Sequence, residues 1–420
     1  MEKYQTLNAH LAELWPAAHS LLSPLGLRAA FPDGVPAQAA EASGCKYNGT
    51  IGQVTDGHGN ALPLPSLAAQ STLFAYNSAL LYPPQLGLLS LRQEWAARTN
   101  ARSDGEQHFP PPMVTVALTH GVSLCADLFT DENTTVLMPA PSWGNYKAIF
   151  GLRRGAKLAY WSLYDDDDRL NLSGLEQALN ALTGRAVLVL NFPGNPSGYT
   201  PTVEEAEAIA QLIQNHPHPL LLLCDDAYQG LTYEEGILEK SMFYRLAEIA
   251  DPQRHLVVKV DGATKELAFF GGRVGFLTFG TPETVANALL DKAAAIARAT
   301  VSSAPAPSQL AVLNTLKSPT VNHEIADLKA TLARRYRRVQ SATAQLVEAG
   351  IHPLPFNSGC FALLRLPKHL NAHDVRKKLI QEASVGFVAL PQHHALRIAY
   401  CSMSEDQIQP ALDHLAAVLA

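Results

Sequence analysis

Short apolar runs recur through the middle of the chain and alternate with segments whose apolar residues fall at helical spacing. Residues 135–139, 157–161, 186–192, 220–224, 256–260 and 275–279 read as strands, and residues 122–130, 173–182, 203–215 and 282–295 as the helices between them. The strand runs are continuous rather than alternating in character. Strands of that kind, interleaved with helices, predict a mainly parallel sheet covered on both faces. Ahead of this stretch, Leu7, Leu11, Leu14 and Trp15 are spaced for an amphipathic helix over residues 4–22. Residues 24–66 are rich in Gly, Pro and Asn and read as turns and extended segments. Beyond it, the segment SSAPAPS at 302–308 leads into a long polar helix over 307–349. The last 70 residues mix strands (360–366, 396–399) with helices.

Composition narrows the class. Of 420 residues, 47% are hydrophobic and 17% charged, enough apolar material for a large buried core and too much for a disordered chain. The balance of 32 Lys+Arg against 38 Asp+Glu leaves a charge of −6, which gives no general attraction to nucleic acid or anionic membrane. Cys45, Cys125, Cys224, Cys360 and Cys401 are scattered and show no C-x-x-C spacing, against both a disulfide framework and a structural zinc site. No apolar run approaches the roughly 18 residues of a membrane span, and no secretory h-region follows the first charges. A cytoplasmic globular protein is the expectation. Asp165–Asp168 reads as a solvated loop and not a metal site.

Ligands of an open α/β sheet sit beyond the carboxyl ends of the strands, and the unusual residues fall there. Lys265 follows the run 256–260 among small residues, with Arg273 eight positions on. An amine so placed suits a Schiff-base nucleophile, and a planar guanidinium suits a phosphate. Lys259, in the same run, reads as an ordinary lysine. Cys224-Asp225-Asp226-Ala227-Tyr228 closes another strand; alone, such a pair of aspartates is commonly a turn. Asn191-Phe192-Pro193-Gly194-Asn195-Pro196-Ser197-Gly198 ends the run before it. Thr119-His120-Gly121-Val122-Ser123 reads as a helix opening, whose N–H groups and dipole favour phosphate. Trp143, in Pro141-Ser142-Trp143-Gly144-Asn145-Tyr146, offers a flat ring either for stacking or for core packing. Arg397 interrupts a strand-like run and suits a carboxylate.

The segment from Gly262 to Gly275 matches the lysine signature of class I aminotransferases. With the other motifs in the same order, the chain resembles the fold-type-I, pyridoxal-phosphate-dependent aspartate/aromatic aminotransferase superfamily over about residues 45–400. The resemblance implies an α/β fold: a large domain over 67–305 with a mixed, mainly parallel seven-stranded sheet between helices, and a smaller α+β domain from residues 1–66 and 306–420. It implies that Lys265 holds pyridoxal 5'-phosphate and shuttles a proton at the substrate α-carbon. Asp225 would sit on the pyridine nitrogen, Tyr228 and Asn195 on the ring O3′, and Trp143 on the ring face. Gly121, Val122, Ser123 and Arg273 would hold the phosphate, with Tyr82 reaching it from the neighbouring subunit of a homodimer. Arg397 would bind the substrate α-carboxylate, with Ile51 and Gly52 over the substrate and Arg298, from the partner, where dicarboxylate-specific members carry a second arginine. His120 receives no role. One departure stands out: Gly262 occupies the position three before the lysine where the family often has a serine hydroxyl for the phosphate.

The activity implied is ping-pong transfer of an amino group between an L-amino acid and a 2-oxo acid. A pyridoxal-phosphate lyase catalysing β-elimination or ring formation would share all these residues. A cofactor-binding transcription regulator would need a basic DNA-binding module, for which about 45 residues with few Lys or Arg before the resemblance are too few.

Overall fold

The computed structural model describes residues 3–14, 35–58, 60, 62–69, 77–103 and 107–419. Trp15 and the rest of the expected first helix beyond Leu14 lie outside them; Lys3–Leu14 is helical. The short strand β1 (Tyr47–Asn48) stands apart from the central sheet. That sheet comprises β2 (Met113–Val116), β3 (Thr135–Ala140), β4 (Lys157–Ser162), β5 (Ala186–Leu190), β6 (Leu220–Asp225), β7 (His255–Gly262) and β8 (Val274–Phe279). Their order is β2-β8-β7-β6-β5-β3-β4. Neighbours from β7 to β4 run parallel, whereas β8 is antiparallel to both β7 and β2.

Alternate residues of β6 show why the strand is apolar throughout. Leu220, Leu222 and Cys224 pack with the helices Val203–Asn215 and Met242–Ile249 on one face; Leu221 and Leu223 pack with Ala117–Phe129 and Glu283–Thr300 on the other. The same alternation places Asp225 and its neighbour Val260 on one face of the sheet and Lys259 and Asp261 on the opposite one.

A second sheet, ordered β12-β13-β10-β9, is built from β9 (His352–Pro353), β10 (Phe361–Arg365), β12 (Val388–Leu390) and β13 (Ala395–Ala399). The strand between, β11 (Val385–Gly386), pairs in parallel with β1, so early and late segments of the chain meet. Long helices Val321–Thr343 and Glu405–Leu419 cover this sheet with apolar faces that include Val339, Leu412 and Leu415.

Three sequence expectations change. The four-residue strand β2 was not read from the sequence; it joins the sheet only through its antiparallel partner β8. The expected single helix over 307–349 is two helices, Ala306–Leu316 and Val321–Thr343, followed by a 3-10 turn. The break falls at Ser318-Pro319, where proline lacks the N–H that would continue the helix. The helix expected from residue 122 opens at Ala117, more than one turn earlier.

Candidate active site

Strand ends of the central sheet and loops from the second sheet enclose a cavity of about 390 Å³. Its lining includes Lys265, Tyr228, Trp143, Asn195, Arg273 and Arg397. Sequence positions spread over 255 residues are thus drawn together: Trp143, Asn195, Tyr228 and Lys265 follow parallel strands that end on the same side, Arg273 precedes the antiparallel β8, and Arg397 comes from β13 of the second sheet. Lys265 lies on the short helix Ala263–Glu266 directly after β7, its Nζ 5.1 Å from the centre of the Tyr228 ring. Burial pushes its amine below the usual lysine range, against the opposing pull of the Asp225 carboxylate. The neutral amine is the form that attacks a carbonyl, and the downward shift favours it.

Asp225, at the end of β6, is buried. Tyr146 donates a 2.5 Å hydrogen bond to its Oδ2, and the Asn191 side chain donates to its main-chain oxygen at 2.8 Å. Burial raises the carboxyl pKa, while Tyr146 and then Lys265 draw it back. Among the described residues Oδ1 has no hydrogen-bond partner, and neither has the buried hydroxyl of Thr264, which lines the cavity. A buried acceptor without a donor is costly, and this carboxylate, close enough to Lys265 to feel its charge, suits a ligand N–H. The donor set fits pyridoxal phosphate: an amine for its carbonyl, an unpartnered carboxylate for its ring nitrogen, and an indole at the rim for its ring face. Trp143 itself is held edge-on to Tyr146, at 5.2 Å between centroids.

Arg397, on β13, is buried. Its Nη1 donates to Asn195 Oδ1 at 3.1 Å, its Nη2 to the Thr50 carbonyl at 2.5 Å, and its guanidinium lies 4.5 Å above the Phe361 ring. Nε is left without an acceptor. Burial lowers its pKa to about 10, so it is still cationic at neutral pH and short of an anion. Asn195 is oriented by Asn191, whose Oδ1 accepts its main-chain N–H at 2.8 Å. Gly198 lets this loop approach β10. Its φ is +68°, and a Cβ there would lie 1.9 Å from the Phe361 carbonyl oxygen. Ile51 and Gly52 line the cavity opposite.

The other end of the site departs from expectation. Gly121, Val122 and Ser123 lie in the second turn of the helix, not at its opening; Val122 is wholly buried against the sheet. The N–H groups without an intrahelical acceptor belong to the first turn, after Ala117, which itself adopts a φ of +59°. His120 braces the start of this helix, where its Nδ1 accepts the Val116 N–H at 3.1 Å. Burial lowers its pKa, consistent with a neutral ring. A smaller cavity of about 340 Å³ opens here, lined by Thr119, His120, Ser123, Arg153 and Arg273. Arg273 borders both cavities.

Tyr82 and Arg298 are not brought to the Lys265 cavity of this subunit. Tyr82 is 94% exposed beside residues 301–306, and Arg298 projects from the last turn of Glu283–Thr300. Sequence reasoning missed Tyr146, Asn191 and Thr264. Tyr146 carried a faint signal, three residues beyond Trp143 in the same segment. It also passed over Lys259, which is fully buried between Asp226 and Asp261, behind the site on the other face of the sheet. Among the described residues there is no cluster able to hold a metal ion and no helix long and apolar enough to cross a membrane.

A doubly covered α/β sheet with a lysine and a buried aspartate at its strand ends defines an α/β protein whose ligand site lies at the carboxyl edge of the sheet. Residues 48–415 match the family described as aminotransferase class I and II, and the chain belongs to that family. It is 28% identical over 208 residues to a probable aspartate/prephenate aminotransferase of Rickettsia felis, covering 49% of this chain and 47% of the relative. Thus the chain spans about half the length of the first curated relatives it matches. A broader match, 25% over 350 residues, joins it to aromatic-amino-acid aminotransferase 2 of Thermococcus litoralis, covering 80% and 84% of the two chains. The fold agrees with a crystal structure of an aminotransferase from Anaerococcus prevotii, with a TM-score of 0.79 at 20% identity over 93% of this chain and 98% of that one.

Proposed function

We propose that this protein is a pyridoxal-phosphate-dependent aminotransferase moving an amino group from an L-amino acid to a 2-oxo acid in two half-reactions at one site. The observation that carries the reading is the Lys265 amine on the cavity wall, within the field of the buried Asp225 carboxylate with its unpartnered Oδ1, and a buried Arg397 on the same wall. The cofactor, when bound, supplies a carbonyl for the substrate amine and a ring that accepts electrons from the α-carbon. Lys265 holds it and, once released, moves a proton at the substrate α-carbon. Asp225 stabilises a protonated ring nitrogen, Tyr228 and Asn195 donate toward the ring hydroxyl, and Trp143 covers the ring. Arg397 anchors the α-carboxylate of both substrates, with Ile51 and Gly52 closing over them. Residues 67–305 form the cofactor-binding part, with the chain ends in the smaller one. The exposed Tyr82, beside the exposed Leu80 and Leu81, supports a homodimer in which it serves the partner's site, and Arg298 would act across the same interface. A cytoplasmic location is part of the same reading.

The visible spectrum of the purified protein, followed as single amino acids are added without an oxo acid, tests this. Loss of the lysine-bound cofactor band with stoichiometric oxo acid is expected. Continuous release of ammonia with the band restored would assign a lyase instead, and no band after adding pyridoxal phosphate would sink the reading.

Two substitutions probe the site further. Tyr146→Phe removes the hydrogen bond that most lowers the Asp225 pKa and leaves burial, which raises it, opposed chiefly by the charge of Lys265. The acid limb of the rate profile should move to higher pH, with turnover down about tenfold. A limb unchanged in position would show that Tyr146 only fills space. Arg397→Lys replaces a planar fork by a point charge. It should raise KM for amino and oxo acids alike by about 10- to 100-fold, measured in both half-reactions; an effect on one substrate alone would deny the shared anchor.

A further inference from the structure

Gly262 stands where the resemblance leads one to expect a hydroxyl, and the structure shows why none can be restored there. A Cβ on Gly262 would lie 2.6 Å from the Val274 carbonyl oxygen and 2.7 Å from Gly275 Cα, backbone atoms that cannot swing aside. A phosphate at this end of the site therefore needs another donor. The cavity of about 340 Å³ beyond Arg273 offers one that no motif of the sequence singled out. Arg153, at the end of the π-helical turn Lys147–Leu152, reaches across to the helix Ala117–Phe129, where its Nη1 donates to the Ser123 hydroxyl. Ser123 is one turn from Thr119, at the helix opening, and both line the same cavity.

The charges support an anion here. Asp127 is shared, at 3.3 Å from Arg153 and 3.7 Å from Arg154, and Arg273 has no carboxylate partner among the described residues, where it makes a 3.3 Å bond to the Phe270 carbonyl. Two guanidinium groups, Arg153 and Arg273, against the one carboxylate of Asp127 leave the lining of this cavity net positive, and Asp127 is drawn on by Arg154 as well. A phosphate monoester is close to a dianion at neutral pH.

We infer that Arg153 is a second guanidinium for the phosphate of the cofactor, acting beside Arg273 and, with the Ser123 hydroxyl, in place of the hydroxyl that Gly262 lacks. This rests on the functional reading above but adds a residue to it. The phosphate has acceptor oxygens for both forks, and Arg153 would turn from Ser123 and Asp127 toward it.

The test compares two probes that differ only in the phosphate. Apo-protein is titrated with pyridoxal phosphate and with pyridoxal, and binding is read by protein fluorescence and ultrafiltration rather than turnover. Arg153→Met should weaken pyridoxal phosphate about 10- to 100-fold and leave pyridoxal unchanged; Arg153→Lys should keep part of the difference. Inorganic phosphate should compete with pyridoxal phosphate in the native protein and much less in Arg153→Met. Equal losses for both probes would show that Arg153 supports the fold alone, and an unchanged affinity for pyridoxal phosphate would overturn the inference directly. Failure of the native protein to bind pyridoxal phosphate would instead remove the functional reading itself.

Discussion

A Lys265→Ala protein is expected to fold, to bind pyridoxal phosphate without the band of the lysine-bound form, and to lose turnover by about four orders of magnitude or more. The size follows from two functions removed together, the covalent link and the proton carrier, since a positioned acid–base group alone contributes about 10² to 10⁴. Stability should not suffer. The folded protein holds this amine below its usual pKa, so in the window between the lowered and ordinary values the unfolded chain binds more protons. Stability from this group is present above the ordinary lysine pKa and is lost as pH falls through the depressed folded value. At neutral pH the amine is therefore a burden, and Lys265→Ala should melt at or above the native apo-protein temperature. A small primary amine added to the solution should restore part of the rate, because the cavity left has room for it and Asp225 is unchanged. A variant that melts well below the native protein would assign Lys265 a packing role, and retained turnover would remove it from the chemistry.

Lys259→Met should produce the largest loss of stability. Lys259 is wholly buried and its ammonium contacts the carboxylates of Asp226, at 3.4 Å, and Asp261. Asp261 also accepts from the Trp95 indole at 3.0 Å. Burial lowers the Lys259 pKa, but the two carboxylates outweigh it and the net shift is upward. Removing one partner from a buried ionic group leaves the others uncompensated, at a cost of about 3–5 kcal/mol. Lys259→Met/Asp226→Asn removes one charge of each sign and should recover most of it, as denaturant unfolding would show. The pH dependence has a defined sign. Burial raises Asp226 to about 6 even with Lys259 present, and without the lysine it rises further. Between the unfolded carboxylate pKa and that value the folded state binds the extra proton, so the variant loses stability as pH increases. The gap between variant and native protein should be smallest near pH 5 and widest above pH 7. A gap independent of pH would mean that the loss comes from packing.

Next to this cluster, Glu266 shows the opposite balance. Burial would raise its carboxyl, but Arg102 at 2.5 Å and Arg98 at 2.9 Å hold it at about 2. Its contribution is present above the ordinary glutamate pKa and is lost as pH falls toward 2. The residue following Lys265 thus ties the lysine-bearing turn to the helix Leu89–Ala101 and its C-cap Arg102.

What the sequence by itself determined was local or carried by near neighbours. The helix at Val203–Asn215 falls where its periodicity places it, because Thr202 and Glu205 close a capping box and the apolar stripe is continuous. The strands β3 and β5 to β8 were legible for a similar reason: burial on both faces demands uninterrupted apolar runs, whatever lies across the sheet. The chemistry-bearing residues followed, since they sit at the ends of those runs. The tertiary structure alone decided the rest. The strand β2 exists through pairing with β8, some 160 residues away, and the opening at Ala117 depends on the same junction, where the Ala117 N–H meets the Arg273 carbonyl. Lys259 and Arg153 show the limit most plainly. Each is an ordinary basic residue in one dimension; only the fold sets the first between two buried carboxylates and carries the second across to Ser123. Charge energetics depend on distance and on exclusion of water, and neither is encoded in the spacing of residues along the chain.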